Sequence, residues 1–445
     1  MKSFESILEN GEKVIPAKYY LASFCDIHGI SKAKMVPADH LSDMTFGSEM
    51  YTGAALDGVP QAVNDDEVSA HPDMSRSFPL PWNPEIVWCP SDLYIKETPF
   101  DACIRSILRK VLDNGAKSGL TFNLGIEAEF FILKTEHEKP TPLSERDNIG
   151  KAAYDVRLLL DNFDVLKELV EAMNYLGWGV YSFDHEDANG QVEIDFNYSD
   201  ALTMCDRFTF LRFMAGEIAR KHGAFASFMP KPFPHLTGSG AHFNMSIVDK
   251  NNKNIFISDA KDGQLSDIAR FFAGGIIEHA GAISAIIAPT VNSYKRLTKR
   301  VSASGFTWAP IVASFGSNNR TNMLRTPMAG NRIECRAVDA SVNPYLAAAV
   351  LFAAGLDGIE KQIDPGQKFT ENLYEYTDHE LHEHGVRMLP KTLYEAVCAL
   401  ESDKFIQAVM GEKMFKSYID YKKKEWDEYH QHVSDWELNR YLRMF

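Results

Sequence analysis

Glu127-Ala128-Glu129-Phe130 and Gln191-Val192-Glu193-Ile194-Asp195-Phe196 alternate acidic and apolar side chains residue by residue. In a β-strand, residues i and i+2 share a face. Glu127 and Glu129 therefore point together, with Ile126, Ala128 and Phe130 opposite; Glu193 and Asp195 oppose Val192, Ile194 and Phe196. Four further segments put polar residues where a strand would carry its core: His185-Glu186, Gly238 to Ser246, Asn319-Arg320 through Arg325, and Arg332-Ile333-Glu334-Cys335-Arg336. In the second of these, His242, Asn244 and Ser246 oppose Ala241, Phe243 and Met245. With the apolar faces forming the core, the polar faces converge on something charged. A cavity lined by carboxylates and histidine suits hard divalent cations and a phosphate-rich ligand.

The remaining composition fits that reading. A chain of 445 residues has room for two or three domains and a large core. Its formal net charge of -15 leaves no basic stripe for nucleic acid. Six cysteines, at 25, 89, 103, 205, 335 and 398, show no C-x-x-C pairing, so neither a zinc ribbon nor a disulfide scaffold is suggested. The first residues lack a basic start followed by an apolar run, so no signal peptide is expected. The most apolar stretch, Phe271 to Pro289, is interrupted by Glu278 and His279, which reads as a buried helix rather than a membrane span. A cytoplasmic, reducing compartment is the expectation.

Tyr19 to Pro37 reads as a hairpin turning at Asp26 to Gly29. A β-rich stretch punctuated by Gly, Asp and Pro follows to about Pro99. An amphipathic helix is predicted over Ala102 to Asn114 with Asp101 as its cap, and the domain boundary is placed there, giving units 1–103 and 104–445. Further helices are predicted at Asn162–Leu176, Thr203–His222, Leu265–Ala288 and Pro344–Ile363, the last opened by Asn343 and a proline in its first turn. The tail from Ser402 to Phe445 reads as helical and charged. Strands and helices do not alternate regularly, which favours α+β over a doubly wound sheet.

Singly, each polar motif is weak, since an E-x-E pair is usually a solvated strand face. Their order is more telling. E-A-E-F, H-E-D-A-N-G-Q-V-E-I-D-F, F-M-P-K-P, G-S-G-A-H, N-S-Y-K-R, N-N-R-T-N-M-L-R, R-I-E-C-R and D-A-S-V-N-P-Y-L together closely resemble the ordered signature of the glutamine synthetase family. The likeness runs from about residue 19 to Phe445 and includes a W-E-L-N-R-Y-L tail like that of the bacterial dodecameric type. The resemblance implies an N-terminal β-grasp domain, a catalytic domain around an antiparallel β-funnel, and a homo-oligomer, a dodecamer, with sites shared between subunits. It implies an ATP-dependent ligase that activates glutamate as γ-glutamyl phosphate and then joins it to an amine. Glu129, Glu186 and Glu193 match the ligands of one Mg2+ or Mn2+, and Glu127, His242 and Glu334 those of another. Arg296, Gly238 and Arg336 match glutamate-binding positions. Asn244, Ser246, Arg325 and Arg332 match ATP contacts, and Arg320 a residue beside the transferred phosphoryl group.

The departures from the family pattern cluster where the amine enters. An acid expected near Tyr51-Thr52-Gly53 is replaced by Thr52, with Asp57 five residues on. The glutamate of a G-Y-E-A-P element is missing from Gly305-Phe306-Thr307-Trp308-Ala309-Pro310. Tyr154 and Glu186 are kept. An amine pocket of Thr52, Tyr154, Thr307 and Trp308 is less anionic and offers a π face to a methylated cation. Methylamine is thus the preferred amine, and the chain resembles the methylamine-using branch. The alternatives are an ammonia-using enzyme, a polyamine ligase and a catalytically dead relative. Thr237 replaces the usual Asn before Gly-Ser-Gly, and the loop before Arg332 is short. Tyr374 lies in a motif resembling a regulatory modification site, with packing as its plainer role.

Overall fold

A computed structural model describes residues 16–258, 265–299, 302–328 and 331–445. The expectations for residues 1–15 and for the short loop at 329–330 lie outside them. The expected hairpin forms. β1 (Tyr19–Cys25) returns as β2 (Ser31–Pro37) through a turn in which Asp26 Oδ1 accepts from the His28 and Ile30 amides at 2.9 and 3.0 Å, and Gly29 takes φ +71°. β3 (Met50–Tyr51), β4 (Val68–Pro72), β5 (Phe78–Leu80), β6 (Asn83–Ile95) and β7 (Thr98–Pro99) complete the first sheet. Its order is β2-β1-β6-β4-β3, with β5 and β7 also on β6; β1 and β6 run parallel.

The helix Ile104–Lys117 buries Ile104, Ile107, Leu108 and Val111 along one face. Asp101 does not cap it. The chain stays in a turn through residue 102, Cys103 takes the cap position without a side-chain bond, and Asp101 is left exposed beside Lys110. Arg105 on this helix is buried and donates to both Asp206 oxygens at 3.0 Å and to Asp92 and Asp73 at 3.2 and 3.0 Å. It ties the first sheet to the helix Ala201–Lys221, and a guanidinium so buried demands that many acceptors.

The second sheet is built on β8 (Thr121–Glu136). It adds β9 (Lys139–Pro142), β10 (Val180–His185), β11 (Gln191–Phe196), β12 (Ser199–Asp200), β13 (Phe225–Ser227) and β14 (Ala241–Val248). β15 (Val312–Ala313) pairs elsewhere, with β19 (Arg387–Met388), before β16 (Phe315–Ser317), β17 (Leu324–Thr326) and β18 (Ile333–Cys335) rejoin. The order is β10-β11-β8-β14-β18-β17-β16, antiparallel along this path except for the parallel β16–β17 pair. The α+β class holds, with one departure from a wholly antiparallel sheet. Asn319 and Arg320 are also not on a strand. They turn between β16 and β17, where Asn319 Oδ1 accepts from the Thr321 amide at 3.1 Å, a bond that competes with a ladder.

Pro344–Lys361 begins as expected, with Asn343 Oδ1 accepting from the Tyr345 and Leu346 amides. The predicted helix Leu265–Ala288 is instead two, Asp267–Glu278 and Ala280–Ile287, bent by 78°. At the break, His279 Nδ1 lies 2.6 Å from Asp403 and Nε2 3.3 Å from Asp357. Just before it, a Cβ on Gly275 would lie 2.0 Å from the Ala354 carbonyl oxygen, so helix packs on helix backbone to backbone. Among the described residues no single helix is long and apolar enough to cross a membrane. The helix expected over Asn162–Leu176 forms as Phe163–Tyr175, preceded by a short helix Val156–Asp161, and the tail is helical at Lys404–Met410, Glu412–Gln431 and Asp435–Tyr441.

Candidate active site

Strand register lines up the acidic and basic side chains. Glu193 on β11 is the partner of Glu129 on β8; Glu127 on β8 is the partner of His242 on β14; Glu334 on β18 is the partner of both Asn244 on β14 and Arg325 on β17. The alternation read from sequence thus becomes a polar row across five strands. His242 Nδ1 lies 3.2 Å from Glu127 and 3.7 Å from Glu334, and its Nε2 lies 3.5 Å from Glu129. Glu127, His242 and Glu334 bring ligand atoms within 4.8 Å of one another, matching the expected set. The second such group is Glu129, Glu193 and His242. Glu186, expected there, sits one residue past β10, and its Oε2 accepts from the Asp187 amide at 2.7 Å.

This row fits a cation. Burial, then the Glu129 charge, pushes Glu193 up to about 11 and Glu186 up to about 8. Burial, reinforced by Arg336, pushes His242 down to about 3, leaving a neutral imidazole able to donate a lone pair. Crowded carboxylates with one neutral imidazole are the donor set of a hard divalent ion such as Mg2+ or Mn2+, whose charge relieves the repulsion. Arg325 and Arg336 each reach the fully buried Glu334 at 2.5 Å and fix it toward His242.

Two cavities flank the row. The first, about 230 Å³, is lined by Glu127, Asn244, Ser246 and Arg332 together with Asn123, Tyr181, Asp195 and Tyr198. Arg332 Nε donates to Asn244 Oδ1 at 2.7 Å, and Asn244 Nδ2 to Glu127 at 3.0 Å, so the arginine on the cavity wall is tied through Asn244 to the acidic row. Arg325, expected among the ATP contacts, does not line this cavity; Glu334 and Asn318 engage its guanidinium. The second cavity, about 260 Å³, gathers Glu129, Tyr154, Glu186, Gly238, His242, Arg296, Thr307, Trp308, Arg320 and Arg336, with Asp187 and Thr237.

Local chemistry explains several of these placements. A Cβ on Gly238 would lie 2.3 Å from the Pro230 carbonyl oxygen, and one on Gly240 2.6 Å from His242 Nε2; the Gly240 amide donates to Glu129 at 2.6 Å. Arg296 is buried and donates to the Arg336 and Ala337 carbonyls at 2.9 and 3.2 Å. Trp308 has φ +57°, and its carbonyl accepts from Arg336 at 3.2 Å. Thr307 Oγ1 donates to the Thr298 carbonyl at 2.8 Å, so its hydroxyl is taken up by backbone. Tyr374 packs, its hydroxyl donating to the Ala309 carbonyl at 2.5 Å. Thr52 does not line the cavity of its own chain: it lies 3.2 Å from Glu67, while Asp57 meets Tyr421 and His28 at 3.4 Å. The sequence pattern gave no role to Asp187, although it stands inside the quoted H-E-D-A-N-G-Q motif, nor to Tyr181 and Tyr198, and it placed Asp195 on the polar face without a role. Asp195 was visible as the i+2 neighbour of Glu193.

The catalytic-domain model of glutamine synthetase matches residues 101–441. The chain belongs to the glutamine synthetase family. It is 41% identical over 431 residues to the glutamate–methylamine ligase of Methyloversatilis universalis, covering 96% of this chain and 97% of that protein. It is 38% identical over 429 residues to a glutamine synthetase of Rhizobium leguminosarum bv. phaseoli, covering 96% of each. A solved structure described as a GmaS/ADP complex superposes with a TM-score of 0.90 at 38% identity, over 99% of this chain and all of the other. As a member of the glutamine synthetase family the chain is an ATP-dependent ligase.

Proposed function

We propose that this enzyme joins the γ-carboxylate of glutamate to methylamine, releasing ADP and phosphate, with residues 1–103 and 104–445 as its two domains. The observation that carries the amine is Trp308: an indole stands on the wall of the Tyr154–Glu186 cavity where the family pattern has an acid. Ammonia is the second reading, favoured by Asp187, an acid on the same wall, and by relatives named glutamine synthetase at similar identity.

In this reading ATP occupies the Asn244–Ser246–Arg332 cavity and glutamate the Arg296–Arg336 side of the other. Glu127, His242 and Glu334 would hold one divalent ion, and Glu129 and Glu193, with Glu186 or His242, a second; when bound, such ions neutralise phosphate charge. The γ-phosphate and the γ-carboxylate would then meet from the two sides of the polar row. Arg320 and Arg336 offer positive charge where the transferred group passes, a task of positioning and electrostatic stabilisation. Glu186 and Tyr154 then face the incoming amine. In this reading Glu186 takes the proton that the incoming ammonium must lose before its nitrogen can attack. Six free cysteines accord with a cytoplasmic, reducing setting. Thr52, remote from its own chain's cavity, accords with sites completed between neighbouring subunits, and a dodecamer is the expected assembly. Light scattering that gave an active monomer would sink the shared-site proposal. For the amine, the test is kcat/KM for methylamine against ammonium at matched pH; a higher value for ammonium overturns methylamine in favour of glutamine synthesis.

A further inference from the structure

The loop that carries Thr307 and Trp308 is gripped by one carboxylate. Asp187 Oδ2 accepts from the Ser304 hydroxyl at 2.6 Å and from the Thr237 hydroxyl. Ser302 Oγ stands 2.9 Å from Ser304 Oγ and 3.4 Å from Thr237 Oγ1, and itself donates to the Phe306 carbonyl. All three hydroxyl residues are buried. A carboxylate accepts and hydroxyls donate, so two donors from two distant segments converge on a group that accepts only, with Ser302 bridging behind them. Gly305, at φ +100°, lets the chain reverse directly after Ser304. Beyond it the Phe306 and Trp308 rings lie 4.9 Å apart. Asp187 is bonded through its backbone to Glu186 and shares the same cavity wall, so the grip fixes the loop relative to the amine side of the pocket. Thr237, one of the departures from the family pattern, supplies one of the two donors.

We propose that Asp187 is a positioning residue for amine selection: through Ser304 and Thr237 it latches residues 302–308 across the amine side of the pocket, placing Trp308 and excluding water from the activated glutamate. The inference rests on the glutamate–amine ligase reading. If the latch opens, water attacks the acyl carbon of γ-glutamyl phosphate. The bond from that carbon to the phosphate oxygen breaks, and glutamate and phosphate return, so ADP forms without amide.

The test uses the full-length assembled enzyme with Asp187→Ala, Asp187→Asn and Ser304→Ala. It measures KM for methylamine, KM for ATP, and ADP formed per amide. Asp187→Ala should raise KM for methylamine about tenfold, the worth of one charge-assisted hydrogen bond, with KM for ATP within about twofold. ADP should then exceed amide. Asp187→Asn keeps an acceptor oxygen toward both hydroxyls and should restore coupling, while Ser304→Ala should show a partial loss and reads the latch even if Asp187→Ala fails to assemble. One-to-one coupling and an unchanged amine KM in Asp187→Ala, or in Ser304→Ala should that variant have to stand alone, overturn the latch. Asn as impaired as Ala also overturns it, assigning Asp187 a role through charge instead. A wild-type enzyme that makes no methylamide defeats the substrate reading alone; the same coupling ratio, taken with the amine it does use, still decides the latch.

Discussion

Glu129 on β8 and Glu193 on β11 are register partners on adjacent antiparallel strands, so two carboxylates face one another directly on one side of a sheet. Like charges in that relation destabilise a sheet. The pair is tolerable when a proton or a cation stands between them, and burial with Glu129 already drives Glu193 toward its protonated form.

Metal addition should therefore stabilise the protein. Mg2+ or Mn2+ at about a hundredfold over its Kd is expected to add about 2.7 kcal/mol, read as a rise in Tm that a chelator reverses. Glu193→Gln mimics the protonated carboxyl and should leave the metal-free Tm nearly unchanged while reducing the gain. An equal gain in that variant would remove Glu193 from the ion site.

His242→Ala should cost about 10²–10³ in kcat for ADP formation, because His242 belongs to both ligand groups. The variant should remain folded by circular dichroism, since the side chain faces the polar row rather than the core. Wild-type turnover at saturating Mg2+ would refute the ligand assignment.

Trp308→Ala should narrow the preference for methylamine over ammonium about fivefold, the worth of one buried methyl group. The readout is the ratio of the two kcat/KM values, with KM for ATP as control. An unchanged ratio would mean the indole does not meet the amine.

His279 offers a pH test away from the active site. Burial opposes its charge, but Asp403 and then Asp357 hold the imidazolium above its ordinary range. A raised native pKa gives stability that is full below about 6.5 and is lost as pH climbs through the raised value. Tm should fall more steeply for wild type than for His279→Gln between about pH 6 and about pH 9, and the variant should be weaker by about 1–2 kcal/mol at the acidic end. Parallel curves would show that the imidazole carries no linked proton.

The strands of the site were legible in the sequence because period-two alternation is a local signal, and Glu127, Glu129, Glu193, His242 and Glu334 lie on strands. Glu186 came to the ion group only through the resemblance, because one residue past β10 it no longer follows the alternation. Asn319 and Arg320 were read as strand because their turn depends on a side-chain bond that alternation does not reveal. Asp101 failed as a cap by two residues of turn. The bend at His279 depends on Asp357 and Asp403, far along the chain, and the grip of Asp187 on Ser304 and Thr237 is of the same kind. Partners from distant segments are what a single sequence conceals.

Because Glu127 walls one cavity and Glu129 the other, neighbouring side chains of a single strand divide the cavity proposed for the nucleotide from the one proposed for the amine. On that proposal the two cavities can be altered separately. Changes at Thr307, Trp308 or Thr237 can redirect the enzyme to another amine while every contact on the far side of β8 stays as it was. A change of amine then need not cost the enzyme its power to activate glutamate.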